Sequence, residues 1–171
     1  KTELAFSALL VGNAFLKNKQ ADEKAKIKEN VLAFLNRITN EIHLIKKVPE
    51  MLTVYGELDF ETIPADAVLR RYAVRLDGLS TLCSLLFSTP EHLVFNPLYA
   101  KEFFERSSEL NLLEKAPKPY LTGKMLLDLG MTPGKEMGVV IQESFELQLN
   151  GEIKNANEAL EFAKNKLAIS I

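Results

Sequence analysis

The chain has 171 residues, of which 47% are hydrophobic and 26% are charged. This length allows one globular body, or two small ones, with a properly buried core. The net charge of -2 excludes a chain-wide electrostatic attraction to nucleic acid or anionic lipid, although a local basic face remains compatible with it.

The first twenty residues, KTELAFSALLVGNAFLKNKQ, are mostly apolar. Four of them recur at helical spacing: Leu4, Ala8, Val11 and Phe15. Because Glu3 and Asn13 interrupt the run, the pattern predicts an amphipathic helix rather than a secretory signal. No run approaches the roughly 20 apolar residues that span a bilayer, so no membrane partner is predicted. Because the chain begins with Lys1 instead of methionine, we expect it to be a piece of a longer polypeptide.

Segment 22–47 predicts one long amphipathic helix. Its apolar residues recur every three or four positions: Ile27, Val31, Phe34, Ile38, Ile42 and Ile45. This spacing is typical of a helix that buries one face, and it differs from the alternation of a strand. Pro49 is predicted to end the helix, since a prolyl ring is not accommodated deep inside one.

The middle of the chain predicts three further helices. One follows Pro64 and reaches about Leu76, and Gly78 separates it from LSTLCSLLFS. That run is apolar nearly all round, which predicts a central, buried helix. The single cysteine, Cys83, lies within it, so we expect a buried thiol and a reducing cytoplasm as the location. Another helix is predicted over 97–110.

The APKP stretch at 116–119 is the best internal boundary, because two prolines in three positions stiffen an extended connector. We therefore expect a helical body, 1–116, and a helical tail, 117–171, packed against it. The sequence shows no sustained alternation of period two. The predicted fold class is all-α, an irregular array of about seven to eight helices without a sheet.

Three helices are predicted in the tail. Thr122 is expected to cap the first, which ends at Gly130 in the left-handed conformation. Pro133 and Gly134 are expected to start the second, and the Asn-Gly pair at 150–151 to stop it. Its inward face is predicted to be Met137, Ile141, Phe145 and Leu149.

The last helix carries a capping-box pattern, Asn155 with Glu158. Its predicted inward face is Ala156, Ala159, Leu160, Ala163 and Leu167. Three glycines, Gly123, Gly134 and Gly138, are predicted to let helices 122–130 and 133–150 approach closely, since a glycine has no Cβ to separate two backbones.

Familiar catalytic signatures are missing from the sequence. There is no G-x-G-x-x-G after a strand, no P-loop and no G-x-S-x-G elbow. His43 and His92 have no partner at a metal-ligand spacing, so no metal site is predicted. The apolar setting of Cys83 argues against a reactive thiolate. No catalytic residue is predicted in this chain.

Two arginines are candidates for phosphate contact. Arg71 and Arg75 share a predicted helix face beside Tyr72, which is compatible with RNA binding. Ordinary surface ion pairing is the favoured alternative, because Asp66 stands four residues before Arg70 in the orientation that pairs on a helix.

Two lysines are placed differently. Lys124 and Lys135 each lie at a predicted helix start, where unpaired N–H groups favour an anion. A lysine there opposes the helix dipole, so the position is unfavourable unless a phosphate docks. A solvated surface position is the equally weighted alternative.

The segment PYLTGKMLLDLGMTPGKEMGVVIQESFELQLNGEIKNANEAL resembles the C-terminal region of bacterial tRNA nucleotidyltransferases, the CCA-adding enzymes of the class shared with poly(A) polymerases. The family pattern P-x-x-x-G-x-x-L-x-x-x-G-x-x-P-G-x-x-x-G is carried here by Pro119, Gly123, Leu126, Gly130, Pro133, Gly134 and Gly138. NGEIKN is similar to the turn before the family's last helix. Lys135 stands where the family often has proline, and the likeness covers about the final third of the chain.

The resemblance implies a role in tRNA binding. In this family the helical body and tail hold the acceptor stem and T-arm by phosphate and shape contacts while a head extends the 3′ end. The head, with its Gly-Gly turn and Asp-x-Asp pair for Mg²⁺ and its CTP or ATP site, is not recognisable here. The implied partners are tRNA and that head, on the same polypeptide. The alternative is a non-catalytic protein-interaction module, in which the first helix docks on a partner or forms a homodimer through residues 4–16.

Overall fold

The computed structural model of the chain describes residues 21–88 and 96–169. Within these ranges the chain forms eight helices and no strand, which confirms the all-α prediction. The helices are α1 (Ala21–Ile38), α2 (Ile42–Glu57), α3 (Asp66–Leu76), α4 (Ser80–Phe87), α5 (Tyr99–Glu109), α6 (Gly123–Asp128), α7 (Lys135–Asn150) and α8 (Ala156–Ile169).

Two compact units divide the chain, one ending at Ala116 and the other running from Pro117 to Ile171. The predicted first helix and dimer surface at 4–16, and also His92, lie outside the described residues. None of the helices in the described ranges has the length and apolar character needed to cross a bilayer.

The first two helices correct the prediction of a single helix over 22–47. The chain breaks after Ile38, where the Glu41 N–H donates to Thr39 Oγ1 at 3.1 Å, and α2 then continues through Pro49. The two helices pair through Val31, Leu35, Val48 and Leu52. This burial outweighs the cost of an internal proline, which is about 3 kcal/mol.

The break also changes which apolar residues are buried. Phe34, Ile38 and Ile42, all predicted to face inward, are exposed at 47%, 48% and 66%. In a pair of helices only the residues where the two helices meet are buried. Here these include Val31 of the predicted stripe, against which Ile45 also packs, but the other buried positions, Leu35, Val48 and Leu52, lie outside the stripe.

The main core of the first unit gathers side chains from α2 to α5. The α4 helix contributes Leu82, Cys83, Leu85 and Leu86, so the prediction of a central helix is confirmed. Burial raises the pKa of the Cys83 thiol to about 12, which keeps it protonated at neutral pH.

Gly78 lies close against the backbone of the segment that follows α5. Its φ is +106°, and a Cβ built on it would lie 2.7 Å from the carbonyl oxygen of Leu113. The next two residues, Leu79 and Ser80, donate their N–H groups to the carbonyls of Leu112 and Leu113 at 2.9 Å each. Only glycine can adopt this positive φ and also fit against the Leu113 carbonyl oxygen.

The second unit is a small core closed by α6, α7 and α8. Its buried members are Leu121, Leu126, Val140, Ile153, Ala159 and Ala163. The predicted helix ends are confirmed, since Gly130 and Gly151 have φ values of +87° and +84°. The capping box is also confirmed, because Asn155 Oδ1 accepts from the Glu158 N–H at 3.0 Å. Glu158 reaches back to the Lys154 N–H at 2.7 Å.

The buried face of α7 differs from the predicted one. Leu149 is buried and Met137 and Ile141 pack against the core, but Phe145 is not part of that cluster. Val140, Ser144 and Gln148 are buried. On α8, Ala159 and Ala163 are buried as predicted, Leu160 and Leu167 are half-buried, and Ala156 is exposed.

Candidate functional site

The start of α7 is an exposed helix N terminus without a side-chain cap. Gly134 occupies the N-cap position with extended backbone, and α7 begins at Lys135 rather than at Pro133. The first N–H groups of a helix have no intrahelical partner and carry a partial positive charge. The ammonium group of Lys135, which is exposed, adds to that charge, whereas exposed Glu136 in the same turn opposes it.

The glycines around this helix start leave the backbone open. Gly130, Gly134 and Gly138 are exposed, and a Cβ at any of them would meet no atom of the described residues within 4 Å. Gly123 would meet only Met137 Sδ, at 3.5 Å, an ordinary contact. The prediction that Gly134 and Gly138 allow two helices to approach closely is therefore wrong, because none of the helices α1 to α8 lies against them. Their peptide groups are instead accessible from solvent.

Lys124 lies at the second position of α6, and its side chain is exposed. Thr122 caps this helix as predicted, since its Oγ1 accepts from the Met125 N–H at 3.4 Å. One of the terminal N–H groups is thereby occupied. The start of α6 therefore has fewer free N–H groups to bind an anion than the start of α7 has.

Arg75 is engaged inside the protein. Its Nε donates to Glu50 Oε1 at 2.6 Å, and its Nη1 donates to Glu57 Oε2 at 2.8 Å. The guanidinium also lies 5.8 Å from the centre of the Tyr72 ring. Burial lowers the pKa of Arg75, but the hydrogen bonds to the two carboxylates outweigh this and raise it overall. These contacts join α2 to α3 and leave little of the guanidinium for a phosphate.

The other arginines of α3 and α5 also have partners within the first unit. Arg71 Nη1 donates to the Ala67 carbonyl at 3.2 Å. The expected pair of Arg70 with Asp66 is present at 3.8 Å, and Arg106 makes a bidentate contact with the same carboxylate at 2.7 and 2.8 Å. The two predicted arginine sites thus have intramolecular roles, and neither Arg71 nor Arg75 is assigned to RNA binding.

A shallow cleft of 460 Å³ in the first unit carries the opposite charge. Four carboxylates line it, those of Asp66, Glu102, Glu105 and Glu109, together with the Arg106 guanidinium. The negative charge of the cleft disfavours a phosphate ligand. Among the described residues, no group of three or more His, Cys, Asp or Glu side chains is placed to hold a metal ion.

The connector before α6 is held by a residue that the sequence analysis missed. Gln148 of α7 is 7% exposed. Its Oε1 accepts from the Tyr120 N–H, and its Nε2 donates to the Lys118 carbonyl, both at 2.9 Å. The available signal was a polar residue in register with the buried Val140 and Ser144. A buried amide requires partners, and here the connector backbone supplies them.

The chain matches no known family model, no curated protein and no solved structure.

Proposed function

We propose that this chain is the tRNA-binding body and tail region of a tRNA nucleotidyltransferase. Its role is to hold the acceptor stem and T-arm of tRNA while a catalytic head elsewhere on the polypeptide extends the 3′ end. The observation that most directly supports RNA binding is the exposed start of α7, where Lys135 lies beside exposed glycine backbone. The family pattern of glycines and prolines ending at Gly138 supports the assignment to tRNA nucleotidyltransferases.

The start of α7 suits a phosphate for three reasons. Its terminal N–H groups are donors that need an acceptor, its helix dipole favours an anion, and Lys135 supplies a full charge. The missing Cβ atoms at Gly134 and Gly138 let a ribose-phosphate chain approach the backbone. Exposed Lys124 supplies a second phosphate contact from the same unit.

Contacts of this kind bind the shape and phosphates of an RNA helix rather than its base sequence. An A-form helix is recognised mainly through phosphates and 2′-hydroxyl groups, because its base edges are poorly accessible in the deep groove. The net charge of -2 and the nearby Glu136 weaken the attraction. We therefore expect weak binding with a steep dependence on salt.

Catalysis is assigned to the head and not to this chain. Mg²⁺ and CTP or ATP would bind there, and the residues described here position tRNA only. The buried, reduced Cys83 fits a cytoplasmic protein.

The test is a fluorescence anisotropy titration of labelled tRNA with the protein, repeated between about 50 and 200 mM salt. The double substitution Lys124→Glu and Lys135→Glu should weaken binding strongly and flatten the salt dependence. The double substitution Lys154→Glu and Lys164→Glu is the matched control, because it makes the same change in net charge at two exposed lysines of the same unit. An equal loss of tRNA affinity in the test variant and the control variant would refute the assigned phosphate contacts. Wild-type binding that does not change with salt concentration would refute them as well.

A second candidate function, a non-catalytic protein-interaction module, is supported by a different surface. Phe34, Ile38 and Ile42 are exposed large apolar residues around the turn between α1 and α2. Sedimentation across a concentration range tests it. Self-association that Phe34→Ser abolishes, in a protein that does not bind tRNA, would favour this function.

A further inference from the structure

Tyr120 is the one exposed tyrosine of the chain. The sequence has four tyrosines. Tyr55, Tyr72 and Tyr99 are 8%, 7% and 1% exposed, whereas Tyr120 is 40% exposed. Tyr55 and Tyr99 each pack against the ring of Phe60. In the described ranges the Tyr120 ring takes part in no such pair. Part of Tyr120 is therefore accessible to a ligand.

The backbone that carries this ring is held in place. Gln148 binds the Tyr120 N–H on one side and the Lys118 carbonyl on the other, at 2.9 Å each. Pro117 and Pro119 further restrict the segment to extended conformations. A ring presented on a fixed backbone loses little conformational entropy when a ligand binds.

The charge around Tyr120 favours a polyanion. In the second unit, residues 117–127 include Lys118 and Lys124 and contain no acidic residue. Both lysines are exposed. Lys118 lies two residues before Tyr120, and the Gln148 side chain binds the backbone of both residues. An aromatic face with a lysine beside it matches a base and its phosphate.

We propose that Tyr120 stacks on an unpaired base of bound RNA, with Lys118 contacting an adjacent phosphate. This inference rests on the proposed function, since it requires that the chain binds RNA. It specifies the substrate further, because a base inside a duplex has both faces covered by its neighbours. Only a loop, a bulge or a single-stranded end offers a free face, and stacking on it is tolerant of sequence.

The protein's own fluorescence reports the contact. The sequence has no tryptophan, so emission comes from the four tyrosines. Three of them are buried, and only Tyr120 can meet a base. Stacking should quench the fraction of emission that Tyr120→Phe removes.

The experiment compares a short single-stranded oligoadenylate with a blunt RNA duplex, each titrated into the wild type, Tyr120→Ala and Tyr120→Phe. Loss of the ring should weaken oligoadenylate binding by roughly 5- to 150-fold, the range measured for base–aromatic stacking. Duplex binding should change little, and Tyr120→Phe should retain affinity. Circular dichroism melting should show that both variants are folded.

The outcomes separate the two proposals. If the wild type binds tRNA through Lys124 and Lys135 but Tyr120→Ala binds oligoadenylate as tightly as the wild type, the stacking inference is wrong and the proposed function stands. Quenching that persists unchanged in Tyr120→Phe would also overturn the stacking inference. If the wild type binds neither tRNA nor oligoadenylate, both proposals are wrong.

Discussion

Two glycines of this protein should respond to alanine in opposite directions. Gly138 lies inside α7, is exposed, and would place a Cβ where no atom of the part of the chain that the structure describes lies within 4 Å. Alanine there should neither clash nor gain contacts, so only helix propensity remains. We expect Gly138→Ala to raise the free energy of unfolding by about 0.5–1 kcal/mol.

Gly78 is the opposite case. Alanine would have to adopt a φ of +106° and would place its Cβ 2.7 Å from the Leu113 carbonyl oxygen. The strained backbone costs about 1–3 kcal/mol, and displacing a packed neighbour costs about 1–3 kcal/mol more. The neighbour is backbone held by the Leu79 and Ser80 hydrogen bonds, so it cannot rotate away as a flexible side chain would.

Urea unfolding followed by circular dichroism measures both changes from the transition midpoints and slopes. If Gly138→Ala lowers the stability, or if Gly78→Ala leaves it unchanged, the backbone geometry given for these residues is wrong. Gly138→Ala also tests the RNA interface, because its methyl group would occupy the space assigned to a ribose-phosphate chain. A variant that is more stable yet binds tRNA less tightly is the expected result.

Two further predictions concern the polar contacts of each unit. Replacing Gln148 by leucine should lower the stability by about 1–3 kcal/mol and speed hydrogen exchange at the Tyr120 amide, because the Tyr120 N–H and the Lys118 carbonyl lose the partner that binds them. Gln142→Leu, on the exposed face of α7, is the control and should stay within about 0.5 kcal/mol. The hydrogen bonds from Arg106 hold the pKa of Asp66 below its ordinary value of 3.8. The unfolded chain therefore binds more protons near that pH, so this stabilisation is complete above about pH 4 and is lost on further acidification. Asp66→Asn should remove that part of the acid dependence, and an unchanged acid unfolding curve would contradict the assignment.

Helix ends were the part of the fold most readily predicted from sequence. Gly130 and Gly151 end their helices in the left-handed conformation, and Asn155 with Glu158 caps α8. Such ends depend on a few adjacent residues and their own backbone. They can be predicted from the sequence without knowledge of the tertiary contacts around them.

Burial was predicted less well where two elements meet. Phe34 and Ile38 fit a helical stripe in the sequence, but the break after Ile38 turns α2 back so that Leu35 is buried instead. Ser144 and Gln148 are buried on α7 although both are polar. Their places depend on residues distant along the chain, the connector at Lys118 and Tyr120 in the case of Gln148.

The residues of the candidate site also divide into those that local sequence predicts and those whose contacts come from distant parts of the chain. The exposed lysines at the starts of α6 and α7 follow from local helix signals, so Lys124 and Lys135 could be named from sequence. Arg75 could not be assigned, because its carboxylate partners Glu50 and Glu57 come from another helix.

The amino-acid sequence by itself determined the all-helical class, the caps and the turn glycines, because these depend on interactions between residues a few positions apart. The tertiary structure alone decided that Gly78 is wedged against backbone while Gly138 is open, that Arg75 is engaged internally, and that Tyr120 is held and exposed. Each of these depends on atoms brought together from distant parts of the chain, and hydrophobic burial, which does not act in any preferred direction, sets that arrangement.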